Sequence, residues 1–290
     1  MADARSIKRR IRTARNIAQI TQAMEMVAAS KMKKAQEQAT ATRFYSANLY
    51  SVVSDIAKRV EPGKHSYLTS AKNVDHRLLV LIGPDKGLCG GLISNLSREV
   101  LAFESTNGSK LSILAVGRKA KNVAIRLGKN LVAEFVIGLT QPKYEVIVPI
   151  AKFIADGFTV GNYQEVFVGF TEFINTMTQT PAIRKLLPIE KQISLQNDKE
   201  DLYGEYLFEP NIDNVLNSLL PHYIEMQLYQ LLLEAYASEQ SARMMAMKNA
   251  TDNAKDIMDE LTLSYNKVRQ QIITNEIADI ATAGMVVGNH

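Results

Sequence analysis

Residues 237–256 read ASEQSARMMAMKNATDNAKD, and what this stretch becomes decides the fold. It is almost all Ala, Met, Ser, Asn and charge, without Gly, Pro or a run of large aliphatic side chains. Around it, from 222 to 283, the chain carries neither Pro nor Gly. Nothing in this span interrupts a helix, so one long helix is expected. Its apolar face is thin, and single helices owe most of their stability to packing partners. Ala242, Ala246, Ala250 and Ala254 recur every four residues, and such small side chains let a second helix approach closely.

The partner is sought at the other end of the chain. Residues 1–61 are also free of Pro and Gly, whereas all eight prolines lie between 62 and 221. Ala23, Ala28, Ala29 and Ala35 offer a small-residue surface there. Ile17, Ile20, Met24 and Val27 step by three and four and are expected to form an apolar seam. In the last zone Met247, Ala250, Ala254, Ile257, Leu261, Tyr265, Val268 and Ile272 keep that step with a period near 3.5. Ile273, Ile277 and Ile280 follow one position out of phase, where a seam must rewind or meet another neighbour. Ten Lys or Arg face three Asp or Glu in residues 1–43, and five face nine in 222–290, so the two ends attract. A slim two-helix rod results, with soft Met contacts. Each flank would span on the order of 90 Å if continuous.

The middle has another rhythm. RLLVLIG (77–83), LSILAVG (111–117), LVAEFVI (131–137) and EVFVGFT (165–171) are short Val-, Ile- and Leu-rich runs. Such runs suit strands of a mainly parallel sheet buried on both faces. Helical patterns lie near 92–104, 118–127 and 144–155. This alternation predicts a small doubly wound, Rossmann-like α/β domain. Residues 188–195 are expected to add a strand, and 197–204 a polar surface loop. The division expected is 1–61 (coiled-coil helix), 62–210 (α/β domain) and 211–290 (coiled-coil helix).

Composition excludes several classes of function. No run approaches roughly 18 apolar residues, so no transmembrane span is expected. The single cysteine, Cys89, permits no internal disulfide. The Arg-rich start resembles a transit peptide, but Asp3 comes early and the helical pattern continues past Met32, which favours the first turns of a mature helix. GPDKGLCGGL (83–92) sits where a strand hands over to a helix, a corner that often binds phosphate. It lacks both G-x-x-x-x-G-K-[ST] and G-x-G-x-x-G, so a tight turn is the plainer reading, with Cys89 as a small packed residue. His65, His76, His222 and His290 are scattered, with no metal-ligand spacing. Asp256, Asp259 and Glu260 read as a solvated helix face. Arg5, Lys8, Arg9, Arg10, Arg12 and Arg15 lack interleaved aromatics, and contact with acidic protein surface is preferred over nucleic acid. No catalytic, cofactor or metal site is expected. Two alternatives stay open: a nucleotide-binding enzyme using 83–91, and a coiled-coil adaptor.

Five segments carry a resemblance to a known family. IKRRIRTARNIAQITQAMEMVAASKM near the start, and ASEQSARMMAMKNATDNA followed by LSYNKVRQQIITNEIADI near the end, resemble the bacterial gamma subunits of ATP synthase. PDKGLCGGL and FINTMTQTPAIRKLLP resemble that family's middle domain. The resemblance covers essentially the whole chain. It implies an antiparallel two-helix coiled coil entering a ring of alternating alpha and beta subunits, with the α/β domain beside epsilon and the membrane c-ring. It also implies a rotor that carries torque from proton flow, with ATP chemistry on the beta subunits and no cofactor on this chain. Arg269 and Gln270, with Thr274 one turn later, match the family's grip on a beta-subunit loop. Met24, Glu25 and Lys31 match the shaft region facing the beta lever, and Tyr206 and Glu209 resemble the foot near the rotor ring. Gln271 stands where the family usually has Ala, and the tail ATAGMVVGNH is longer than usual. The implied location is peripheral, at the cytoplasmic face of a bacterial inner membrane, without direct insertion and without nucleic acid.

Overall fold

A computed structural model of the chain describes residues 4–59, 66–69, 75–107, 110–138, 141–189 and 212–287. Two long helices open and close the described order: α1 (Ala4–Arg59) and α5 (Ile212–Val287). Between them lie β1 (His76–Ile82), α2 (Leu92–Asn107), β2 (Lys110–Val116), α3 (Arg118–Arg126), β3 (Asn130–Phe135), α4 (Ile147–Thr159), β4 (Glu165–Phe173) and β5 (Gln179–Leu187). The chain divides into two compact units, one of Met1–Ala28 with Met244–His290 and the other of Ala29–Arg243.

The unit of residues 29–243 holds the five-stranded sheet, ordered β3-β2-β1-β4-β5. β1 pairs parallel with β2 and β4, and β2 pairs parallel with β3. β5 runs antiparallel to β4 at one edge. The apolar runs explain the layers. On β1, Leu78, Val80 and Ile82 face one core cluster, and Leu79 and Leu81 face the other. Leu96 and Val100 of α2 and Val123 and Ala124 of α3 close the second cluster. Ile150 and Ile154 of α4, Val53 and Ile56 of α1, and Leu216 to Leu233 of α5 close the first. The alternating rhythm of the middle therefore does give a parallel-rich sheet with helices on both faces.

Of the strand expected over 188–195, residues 190–195 lie outside the described residues. The fifth strand is Gln179–Leu187, and a bend at Pro188 follows it. QTPAIRKLL mixes Pro and charge with apolar residues, a pattern tolerated at an antiparallel sheet edge and not in a buried parallel strand. Residues 190–211, including the loop expected at 197–204, lie outside the described residues. Glu165 at the start of β4 accepts from Arg77 of β1 at 2.7 Å and from Lys185 of β5 at 2.9 Å. Burial alone would raise this carboxyl, but the two cations outweigh burial and hold it below the usual carboxylate range.

Within the same unit α1 and α5 touch in opposite senses, Ala35 beside Tyr236 and Ala237, Tyr45 beside His222. Polar ties join them: Gln227 donates to Ser46 Oγ at 3.0 Å, and Gln230 to the Ala39 carbonyl at 3.3 Å. α5 passes through Pro221 without ending, although this proline cannot donate to the Asn217 carbonyl. From Leu228 to Ala237 this helix is buried all round, which supplies the partners its bare sequence lacked.

The other unit pairs the first part of α1 with the last part of α5. Among the buried or half-buried positions on α1, Ile7, Ile11, Ala14, Ala18, Thr21, Glu25 and Ala28 form one line in alternating steps of four and three. On α5 the line is Met247, Thr251, Ala254, Met258, Leu261, Tyr265 and Val268. Thr21 Oγ1 meets Thr251 Oγ1 at 2.7 Å. The expected seam of Ile17, Ile20, Met24 and Val27 is thus displaced by one position. Ile17, Ile20 and Val27 are 47%, 60% and 55% exposed. From Ala14 to Ala28 small residues take most of the inner line because they allow the closer approach, and Ile17, Ile20 and Val27 are left outside. On α5 the expected Met247, Ala254, Leu261, Tyr265 and Val268 hold, Ala250 is half-buried beside the buried Thr251, Met258 replaces Ile257, and Ile272 is exposed.

Candidate functional site

Two regions compete as sites, and elementary geometry separates them. The first is the corner after β1, where 83–92 turns into α2. In parallel sheets, ligands collect outside the carboxyl ends of the strands at the point where strand order reverses, here between β1 and β4. That space is occupied from within. Leu232, Ala235, Tyr236 and Glu239 of α5 stand against Ile82, Gly83, Pro84, Leu92, Ile137 and Thr171, leaving about 10 Å³. No nucleotide enters such a gap, since small-molecule sites run to roughly 300 Å³ or more.

Three backbone donors beside this corner are also taken. Asp85 accepts from the backbone N–H of Arg118, at the N-terminus of α3, and from that of Gly138, both at 2.9 Å. The Lys119 N–H is bonded to the Pro84 carbonyl at 3.0 Å. Arg243 of α5 donates to the Gly87 and Lys86 carbonyls and pairs with Glu239 at 2.8 Å. Burial raises the Glu239 carboxyl despite the nearby Arg243. Cys89 is 3% exposed, and burial raises its thiol, so it packs as a small apolar group and makes a poor nucleophile. His76 is bonded to Ser112 Oγ at 2.8 Å, and His222 lies between Tyr45, Tyr144 and Glu225. His65 and His290 lie outside the described residues.

The second region is the outer surface of the unit built from 1–28 and 244–290. Ile17, Ile20, Met26 and Val27 of α1 are exposed there, and so are Ile257, Leu263, Ile272, Ile273, Ile277 and Ile280 of α5. Every described side chain from Arg269 to Ala281 is exposed. Lys8, Arg9, Arg10, Arg12 and Arg15 are exposed cations on α1, and Asp252, Asp256, Asp259 and Glu260 are exposed acids on α5. Exposed branched apolar residues in this number mark a surface for another protein.

The residues singled out beforehand fall in three places. Arg269, Gln270 and Thr274 share one exposed stretch of α5, where the Thr274 hydroxyl donates to the Gln270 carbonyl at 2.9 Å. Met24 and Glu25 are half-buried on α1 in the same unit. Lys31 is half-buried in the other unit, where its charge reaches Glu239. Tyr206 and Glu209 lie outside the described residues. Sequence reasoning missed the part played by Leu232–Glu239 in filling the sheet crevice. The signal was present: LLLEAYAS (231–238) is far more apolar than the residues that follow it.

Comparison with known proteins identifies the family. The profile of a family described as ATP synthase matches residues 3–285. The ATP synthase gamma chain of Dehalococcoides mccartyi (strain CBDB1) is 44% identical over 281 residues, 97% of each chain. That of Herpetosiphon aurantiacus is 44% identical over 292 residues, again 97% of each. Among solved structures, a chain of the Tetrahymena thermophila mitochondrial ATP synthase central stalk and c-ring is similar, with a TM-score of 0.61 and 28% identity. It covers 80% of this chain and 99% of its own. A chain of the Euglena gracilis mitochondrial enzyme, in its third rotational state, shares the fold with a TM-score of 0.69 at 17% identity, over 98% and 94% of the two chains.

Proposed function

The chain belongs to the ATP synthase gamma-chain family, and we propose from that premise how its two units divide their work. It is the gamma subunit of a proton-translocating ATP synthase, the central stalk that turns inside the alpha/beta hexamer. It couples the rotor ring to ATP synthesis and is itself non-catalytic. Its partners are the alpha and beta subunits, epsilon and the c-ring. Among the described residues no helix is long and apolar enough to cross a membrane, in keeping with a peripheral position. We place it on the cytoplasmic face of a bacterial inner membrane.

α1 and α5 form an antiparallel coiled coil with 1–61 and 211–290 as its strands, and 62–210 is a Rossmann-like domain. The coil's outer surface works inside the hexamer. Arg269 and Gln270, with Thr274, hold a beta-subunit loop, and Met24 and Lys31 face the beta subunit's moving part. Tyr206 and Glu209 belong to the foot beside epsilon and the ring. The observations that support this most are the exposed Ile17, Ile20 and Val27 on α1 and the exposed Ile273, Ile277 and Ile280 on α5. Exposed large apolar side chains of this kind mark a surface that another protein covers.

The test is proton pumping per ATP hydrolysed, in vesicles carrying the whole complex with Arg269→Ala and Gln270→Ala together. A several-fold drop in pumping or turnover, with assembly intact, is expected. Wild-type pumping and turnover would overturn the assignment of these residues.

A further inference from the structure

We infer that the crevice between the carboxyl ends of β1 and β4 holds one ordered water molecule, bound by Thr171, Tyr236 and Glu239. Two hydroxyls point to it. Thr171 and Tyr236 are 3% and 6% exposed, and neither Thr171 Oγ1 nor the Tyr236 phenol has a hydrogen-bond partner among the described residues. A buried hydroxyl left unbonded costs about 1–3 kcal/mol. Both residues line the same small space, one from β4 and one from α5, and Glu239 lines it beside them.

Size selects the ligand. The space of about 10 Å³ is at the limit for one water, which needs about 10–15 Å³ and two to four polar partners. An organic molecule or a phosphate does not fit. A metal cation would find one carboxylate, and that carboxylate already pairs with Arg243 at 2.8 Å. Water alone can serve a lone hydroxyl on each wall. It accepts from the Tyr236 phenol and donates to Thr171 Oγ1 and to the Glu239 carboxylate. The other side chains of the wall are apolar, among them Ile82, Leu92, Ile137 and Leu232, so Thr171, Tyr236 and Glu239 are the side chains that hold the molecule. It joins α5 to the sheet at the spot where related sheet topologies take a nucleotide.

Substitution distinguishes this water from a dry pair of orphan hydroxyls, because the two cases differ in sign. Thr171→Val and Tyr236→Phe keep shape and remove one hydroxyl each. With the water, each variant of the full chain loses about tenfold in its unfolding equilibrium. The double variant then loses less than the two combined, because both act through one molecule. Without the water, each variant deletes an unsatisfied group and is neutral or more stable, which overturns the inference. Thr171→Ser retains the hydroxyl and is expected to stay near wild type, which separates a lost bond from a packing defect. A high-resolution structure of the whole complex should show density within 2.7–3.2 Å of both hydroxyls; empty density there also overturns it.

Discussion

Gly117, at the turn from β2 into α3, has φ +99, and a Cβ added there would stand 2.0 Å from the Gly83 carbonyl oxygen. Backbone, not a flexible side chain, is the obstacle. Gly117→Ala is therefore expected to cost about 3 kcal/mol or more, read as a lowered denaturation midpoint. Glu165 carries a prediction with a sign. Its carboxyl is held below the unfolded value, so its contribution is present above the ordinary carboxylate range and disappears as pH falls through the lowered value. Glu165→Gln should lose about 1–3 kcal/mol near pH 7 and show a flatter fall in stability on acidification, measured by denaturant titration across pH 2 to 7. Neither effect was legible beforehand. LSILAVG announces a strand ending in Gly, but only the neighbouring loop shows why that Gly is required. The charges that surround Glu165 come from strands 88 and 20 residues away in sequence, which no local pattern links.

At the scale of elements, the two long helices were plain in the sequence because 4–59 and 222–283 carry no breaker, and four of the five strands because their runs are rich in Val, Ile and Leu. β5 was missed because an edge strand faces different surroundings on its two sides and carries Pro181 and charge. The inner line of the paired helices was displaced by one position for a related reason. Hydrophobicity alone ranks Ile17 and Ile20 above Ala14 and Ala18, but backbone approach favours the smaller residues, and a partner outside the chain has use for the larger. The row from Arg269 to Ala281 is equally ambiguous on its own, since an exposed helix face looks alike whether or not something grips it. Ala250 is half-buried on α5, four residues before the buried Ala254. Ala250→Pro should break the helix there at a cost of about 3 kcal/mol or more. The readout is ATP-driven proton pumping by the assembled complex, expected to fall while hydrolysis persists.

For the whole molecule, the open question of nucleotide binding is answered by where α5 runs. A sheet of this topology invites a nucleotide, yet helix residues fill the inviting crevice. Calorimetry of the full chain with ATP and with NAD should therefore give no saturable heat at micromolar concentrations. The function was legible in the sequence only through resemblance: no chemistry-bearing constellation marks a shaft, and the physical signs of one are length, missing breakers and oily side chains facing out.

The burial of α5 from Leu228 to Ala237 has one more consequence, for how far the chain can be shortened. Those residues form part of the wall on which Leu78, Val80 and Phe170 rest. Removing residues beyond Arg243 deletes none of that wall. Stop codons moved progressively upstream should yield soluble, protease-resistant fragments until the cut passes Tyr236, and insoluble ones thereafter.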